Sequence, residues 1–146
     1  TALIEDLTRR IRTFEAHMDG IELRKASQEL RAIWVAGNEY LQEAAPWSTF
    51  KENPEKAAAQ IRLALNLIRL YAVLSASFIP DAAARMLSAM NTLDTSWPED
   101  VAEALKALPE GHEFTVPDVL FAKISDEDRE DWEHRFAGMR SLTPPA

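Results

Sequence analysis

Few side chains of this chain are suited to covalent chemistry. It has no cysteine and three histidines, His17, His112 and His134, so thiolate nucleophiles, disulfides and thiolate zinc sites are excluded and the metal options are few. A two-metal site in a helical core needs two Glu-x-x-His pairs projecting inward. The nearest approach is a single Asp131-x-x-His134 pair within the charged run 126–133, which reads as a solvated helix face. No glycine-rich phosphate loop is present. What the residues offer is recognition, and it centres on the stretch from Asn38 to Trp47. Pro46 has no N–H to continue a helix and pushes Ala45 out of the right-handed α region, so a helix arriving from upstream must finish at about residue 44 or 45. Trp47 is then predicted to stand on a turn. A large flat aromatic there is either a cover folded back over the core or a platform on which a nucleotide base stacks. Stacking is worth about 1–3 kcal/mol per base, and Asn, Gln or Arg nearby can read the polar edges of an unstacked nucleotide.

The elements that must hold this corner can be read from hydrophobic spacing. Leu3, Leu7, Ile11 and Phe14 recur at helical intervals and predict an amphipathic helix over 2–18, broken by Asp19-Gly20, which also offers an N-cap to the next helix. From residue 21, Ala26, Leu30, Ile33, Gly37, Leu41 and Ala44 fall on one side of that second, long helix. Arg31, Asn38 and Gln42 share a flank away from that stripe. Gly37 costs about 1 kcal/mol in a helix interior, so its missing side chain is expected to allow a close helix contact. Asn53-Pro54 is a cap followed by proline at the first helical position, opening a third helix to about residue 78. That helix is apolar on two sides, through Ile61, Leu65, Ile68 and Ala72 and through Leu63, Leu67, Leu70 and Leu74, and should be covered on both. Its polar stripe, Arg62, Asn66 and Arg69, is expected to reach carboxylates or helix-end carbonyls, since buried charge is tolerated only when paired. A short helix over 81–90 comes after it, then Ser96-Trp97-Pro98-Glu99 as a cap-like start for a helix through 107. Next come an apolar crossing segment from Phe114 to Ile124 and a last helix beginning at Ser125 and ending at Gly138, with Trp132, Phe136 and Met139 on one side. Residues 141–146, with two prolines, are predicted to be a disordered tail.

At 146 residues this is one ordinary domain, able to bury roughly two-thirds of its unfolded surface. The abundance of Leu and Ala, the shortage of glycine and the sparse β-branched residues predict an all-α antiparallel bundle, with its core in 1–90 and an extension over 91–140. The most apolar run, 61–79, is interrupted by Arg62, Asn66 and Arg69 and is a poor membrane span. The net charge is −8, yet residues 1–75 hold 10 basic and 10 acidic side chains while 76–146 hold 6 and 14. A neutral first half can touch RNA at a few chosen points without broad electrostatic attraction. The acidic second half supports a different reading, a helical protein-interaction module docking a basic partner with no RNA role. The chain opens on Thr1 instead of methionine and is read as part of a longer protein.

Asn38, Tyr40 and Pro46-Trp47, then Leu65-Asn66-Leu67-Ile68-Arg69 on a leucine-rich helix, then Phe78-Ile79-Pro80, resemble the C-terminal anticodon-binding helix bundle of the methionyl-tRNA synthetase family. The late stretch Leu120-Phe121-Ala122-Lys123-Ile124 is similar to that family's segment before its closing helix, with Ala122 in place of the usual proline. Together these cover nearly the whole chain. The resemblance implies the class I synthetase type of anticodon-binding bundle. It also implies that Trp47 stacks on the first anticodon base, the cytosine of CAU, with Asn38, Pro46, Arg31 and Gln42 around it. The implied partners are the anticodon loop of methionine tRNA and a catalytic domain in the same polypeptide; no membrane is involved. This chain itself needs no cofactor, whereas the parent enzyme, a cytoplasmic ligase, uses ATP and Mg2+. The resemblance further implies a helix of the bundle upstream of Thr1, carrying an asparagine and an arginine that also read the anticodon. The segment from Val119 to Ile124 is implied to run toward the catalytic domain, which leaves its apolar side chains exposed in the isolated chain.

Overall fold

A computed structural model describes residues 2–138. Among them seven α-helices follow one another without a strand: α1 (Ala2–Asp19), α2 (Leu23–Ala44), α3 (Pro46–Glu52), α4 (Pro54–Ser75), α5 (Pro80–Ala89), α6 (Val101–Ala104) and α7 (Asp126–Phe136). The all-α bundle expected from composition is what forms. α1 and α2 make an antiparallel hairpin, and α4 packs on α2, α3 and α5. Leu7, Ile11 and Phe14 of α1 mesh with Ala26, Leu30 and Ile33 of α2 and with Leu67, Leu70 and Leu74 of α4, none more than 3% exposed. Other faces of α4 are taken by Leu87 of α5, against Ala72 and Val73, and by Ala89, Met90 and Leu108, against Leu65 and Ile68. By length and composition α4 is apolar enough to cross a membrane; here its apolar faces are spent on its neighbours.

The polar stripe of α4 does what pairing demands. Asn66 is fully buried and donates from Nδ2 to the carbonyls of Arg62 (3.0 Å) and Leu108 (3.2 Å), while its Oδ1 accepts from the Leu108 N–H at 2.8 Å. Arg69, 4% exposed, pairs with Asp94. Both thereby tie the residues after α5 back onto the bundle. Arg62 stays exposed.

Local boundaries differ from expectation where backbone geometry chose another solution. Asp19-Gly20 does not cap α2; Glu22 stands at that N-cap with no side-chain bond. α1 instead closes by a Schellman turn, with the Glu22 N–H on the His17 carbonyl (2.8 Å) and the Ile21 N–H on Met18 (3.0 Å). The left-handed residue of this turn is Ile21 (φ 55), one position after the glycine. The same turn ends α5, with Asn91 (φ 47) in that role. α4 stops at Ser75, earlier than residue 78, because the N–H groups of Phe78 and Ile79 both turn back to the Ser75 carbonyl (2.9 Å each) ahead of Pro80.

Asp100, not Ser96, caps α6, its Oδ1 accepting from Ala102 and Glu103 at 2.8 and 3.2 Å. The stretch before it forms no helix and is held against α1, where Trp97 stacks on Phe14 (6.1 Å between centroids, 16°) and donates its indole N–H to Glu15. The residues after α6 lie along the end of α5, where the Thr115 N–H meets the Ala89 carbonyl (2.8 Å) and the Arg85 guanidinium meets the carbonyls of Asp118, Val119 and Leu120 at 3.2–3.3 Å. Their apolar side chains find no core: Val119, Phe121 and Ile124 are all more than half exposed. α7 opens with the expected Ser125 start, a capping box with Asp128, ends at Phe136 instead of Gly138, and buries no residue. Met139 and the tail 141–146 lie outside the described residues.

Candidate nucleic-acid interface

The corner between α2 and α3 is built from one strained residue and one proline. Ala45 is at once the C-cap of α2 and the N-cap of α3, in the left-handed conformation (φ 42, ψ 59). That conformation costs an alanine about 1–2 kcal/mol, and the surroundings hold it there. The Ala45 N–H bonds the Leu41 carbonyl (3.0 Å), and its own carbonyl accepts from Ser48 (2.9 Å) and Thr49 (3.0 Å). The Ala44 carbonyl, released by the break in the helix, is taken by the Thr49 hydroxyl (3.1 Å) and the Gln60 side-chain amide (3.0 Å). Gln60 thereby anchors the corner to α4.

Trp47 does not stand on a turn: it is the second residue of α3. Pro46 stops α2 as expected, but a proline at the first helical position is also preorganised to start a helix, and nothing breaks the chain again before Asn53-Pro54. Pro46 itself is buried, so its part is to fix the bend. The indole of Trp47 is 54% exposed, and Phe50, three residues on along the same side of α3, is 63% exposed. The covering role at this corner belongs to the proline; the tryptophan faces outward.

On α2, Arg31, Asn38 and Gln42 lie along one exposed flank, and among the described residues none of the three side chains has a hydrogen-bond or ion-pair partner. They do not converge on one cavity. Asn38 edges a cleft of about 200 Å³ between α2 and α4, with Trp34, Gly37, Leu41 and Tyr71 in its walls. Arg31 edges a separate hollow of about 360 Å³ toward α1, lined also by Asp6, Arg10 and Glu39.

The Asn38 cleft depends on Gly37. A Cβ there would stand 1.5 Å from the Tyr71 hydroxyl oxygen, so the glycine admits the ring against the α2 backbone, the close contact its place in the apolar stripe predicts. Burial pushes the Tyr71 phenol up to about 12, the Gly37 backbone acting against the shift. Its Oη, though beside that backbone, has hydrogen-bond geometry to no partner. Trp34 was not among the residues singled out from sequence. Its signal was there, because an aromatic three residues after Arg31 and four before Asn38 shares their side of the helix. Among the described residues no three acidic or histidine side chains come together as metal ligands.

Comparison with known proteins identifies the family. The family model described as the anticodon binding domain of methionyl tRNA ligase matches residues 1–141. Proteins named methionine–tRNA ligase are 71% identical over 139 residues in Ruegeria sp. strain TM1040, 68% in Paracoccus denitrificans and 62% over 140 residues in Jannaschia sp. strain CCS1. The alignments cover 95–96% of this chain and 24% of each relative, so the chain spans about a quarter of the length of the proteins it matches.

Proposed function

The chain belongs to the family of anticodon-binding domains of methionyl-tRNA ligase, and from that premise we propose that its α2–α3 corner binds the CAU anticodon loop of methionine tRNA within a larger ligase. Trp47 is the stacking platform for the first anticodon base. Asn38 and Gln42, with both donors and acceptors and no intramolecular partner, offer hydrogen bonds to base edges, and Arg31 lies farther along the same flank. Pro46 orients the platform. The observation that carries this reading is the half-exposed indole on a bend that strain, proline and the Thr49 and Gln60 bonds all hold in place. A preorganised platform loses less freedom on binding than a mobile one. Aminoacylation, with its ATP and Mg2+, is assigned to a catalytic domain elsewhere in a cytoplasmic parent enzyme. Residues 91–140 are read as an extension of the same domain, which Arg69 and Asn66 tie to the bundle at Asp94 and Leu108. The family match leaves the alternative of an acidic protein-docking module without support.

Trp47→Ala in the full-length ligase should lower kcat/KM for aminoacylation by about 5- to 150-fold, the equivalent of one stacked base. ATP-dependent methionine activation, which needs no tRNA, should stay within about twofold. If both steps are unaltered, Trp47 does not seat the anticodon.

A further inference from the structure

If the α2–α3 corner is an anticodon seat, α2 carries a second aromatic suited to it. Trp34 is the largest apolar side chain on α2, yet it is 36% exposed. Its indole makes no ring stack, and among the described residues its N–H has no protein acceptor. A tryptophan placed for packing is normally covered, with its N–H bonded. Trp97 in this same chain, 40% exposed, has both a ring stack on Phe14 and an N–H bond to Glu15, whereas Trp34, at about the same exposure, has neither.

The surroundings of Trp34 also differ from those of the hollow on the other flank of α2. The cleft beside it has apolar walls from Leu41 and Tyr71 and one polar rim residue, Asn38, with no acidic side chain in its lining. The Arg31 hollow is instead lined by charges of both signs, Asp6 and Glu39 with Arg10 and Arg31. Along the helix axis Trp34 stands one turn from Asn38 and about 15 Å from the end of α2, so a few splayed nucleotides bridge it to Trp47.

We infer, on the basis of that anticodon-seat reading, that Trp34 is a second base-stacking residue, taking one further unstacked base of the same single-stranded loop into the α2–α4 cleft with that base's edge on Asn38. The stack needs a π face, not merely apolar bulk. Trp34→Leu keeps apolar cover at the site and removes the ring; Trp34→Phe keeps a ring.

The test uses the full-length ligase and methionine tRNA carrying 2-aminopurine at one anticodon-loop position at a time, with binding followed by fluorescence and circular dichroism as the check on folding. Trp34→Leu should weaken tRNA binding about 10-fold without lowering Tm, Trp34→Phe should stay within about threefold, and Trp34→Leu should abolish the fluorescence change at one loop position. Trp47→Ala should abolish it at a different one. If Trp34→Leu binds as tightly as the parent protein, or silences the same position as Trp47→Ala, the second stack is refuted. Loss with Trp47→Ala but not with Trp34→Leu refutes the Trp34 stack alone; if neither variant alters binding or the fluorescence change at any position, the corner reading is refuted with it.

Discussion

Replacing Gly37 by alanine sets helix propensity against packing, and the structure decides which wins. Propensity favours alanine by about 1 kcal/mol in a helix interior. A Cβ at this position would lie 1.5 Å from Oη and 2.8 Å from Cζ of Tyr71, whereas its 3.4 Å contact with Leu67 is close to an ordinary one. Tyr71 must therefore stay and overpack or leave its seat between α2 and α4. Overpacking costs about 1–3 kcal/mol, and exposing a large aromatic about 1.5–3 kcal/mol. Either route costs about 1–3 kcal/mol against a propensity gain of about 1 kcal/mol, and the 1.5 Å approach to Oη puts the cost toward the upper end, so Gly37→Ala should destabilise by up to about 2 kcal/mol. Tyr71→Phe removes the closest atom, and because that oxygen has no hydrogen-bond partner the single change should be neutral within about 0.5 kcal/mol. In the double variant the remaining 2.8 Å contact needs only a small shift. Urea unfolding of the four proteins, followed by circular dichroism, should return a coupling energy of about 1 kcal/mol or more in the direction of rescue. Additivity within about 0.3–0.5 kcal/mol, or a stabilising Gly37→Ala, would show that the Gly37–Tyr71 contact does not govern how α4 meets α2.

Asp94 is held below the ordinary carboxylate range, chiefly by hydrogen bonds from Ser96 and then by Arg69. A depressed folded value means its contribution is present above the unfolded value near 3.8 and is lost as pH falls through the folded one. Asp94→Asn should therefore flatten the acid limb of the stability curve below about pH 4. At neutral pH it should cost about 1–2 kcal/mol, less than a fully buried pair, since Asp94 is 46% exposed. Asn66→Ala, which strands the buried N–H and carbonyl of Leu108, should cost about 2–4 kcal/mol in urea unfolding and remove hydrogen-exchange protection of the Leu108 amide. Ile21→Gly should raise Tm by about 2–4 °C in a calorimetric scan, because a β-branched residue leaves the left-handed position and its side chain, 80% exposed, loses little contact.

Periodicity made the bundle legible because each long helix spends one stripe on the core. Leu7, Ile11, Phe14, Ala26, Leu30 and Ile33 of the stripes read from sequence are buried in the main cluster, whereas Leu3, Leu41 and Ala44 are only partly covered, and the two apolar sides of α4 meet different neighbours except at the exposed Ile61. Where the reading failed, a turn was set by backbone geometry that composition does not announce. Gly20 is the conventional left-handed residue, but the Schellman bonds fall one position later and force Ile21 into it. Pro46 carries two meanings, stop and start, and only the absence of a breaker before Asn53 favours the second. Ser96 is not the cap because stacking Trp97 on Phe14 and bonding it to Glu15 outweighs one extra turn of helix.

The site was legible only in part, for a related reason. Residues that touch nothing leave no trace in a hydrophobic pattern, so Arg31, Asn38 and Gln42 were found by shared helical angle, while Trp34 passed as one more apolar residue until its exposure was seen. Yet these are the positions where local rules are broken together: alanine where glycine is cheaper at 45, outward tryptophans at 34 and 47, and polar side chains unpaired on a helix whose neighbour α1 offers pairs such as Arg10–Glu29. A fold optimised for its own stability would relax each of them. Their concentration on α2 and the first turn of α3 supports the proposal that this face holds a ligand. On that proposal, the neutral charge of the surrounding half favours contacts to base faces and edges over contacts to phosphates.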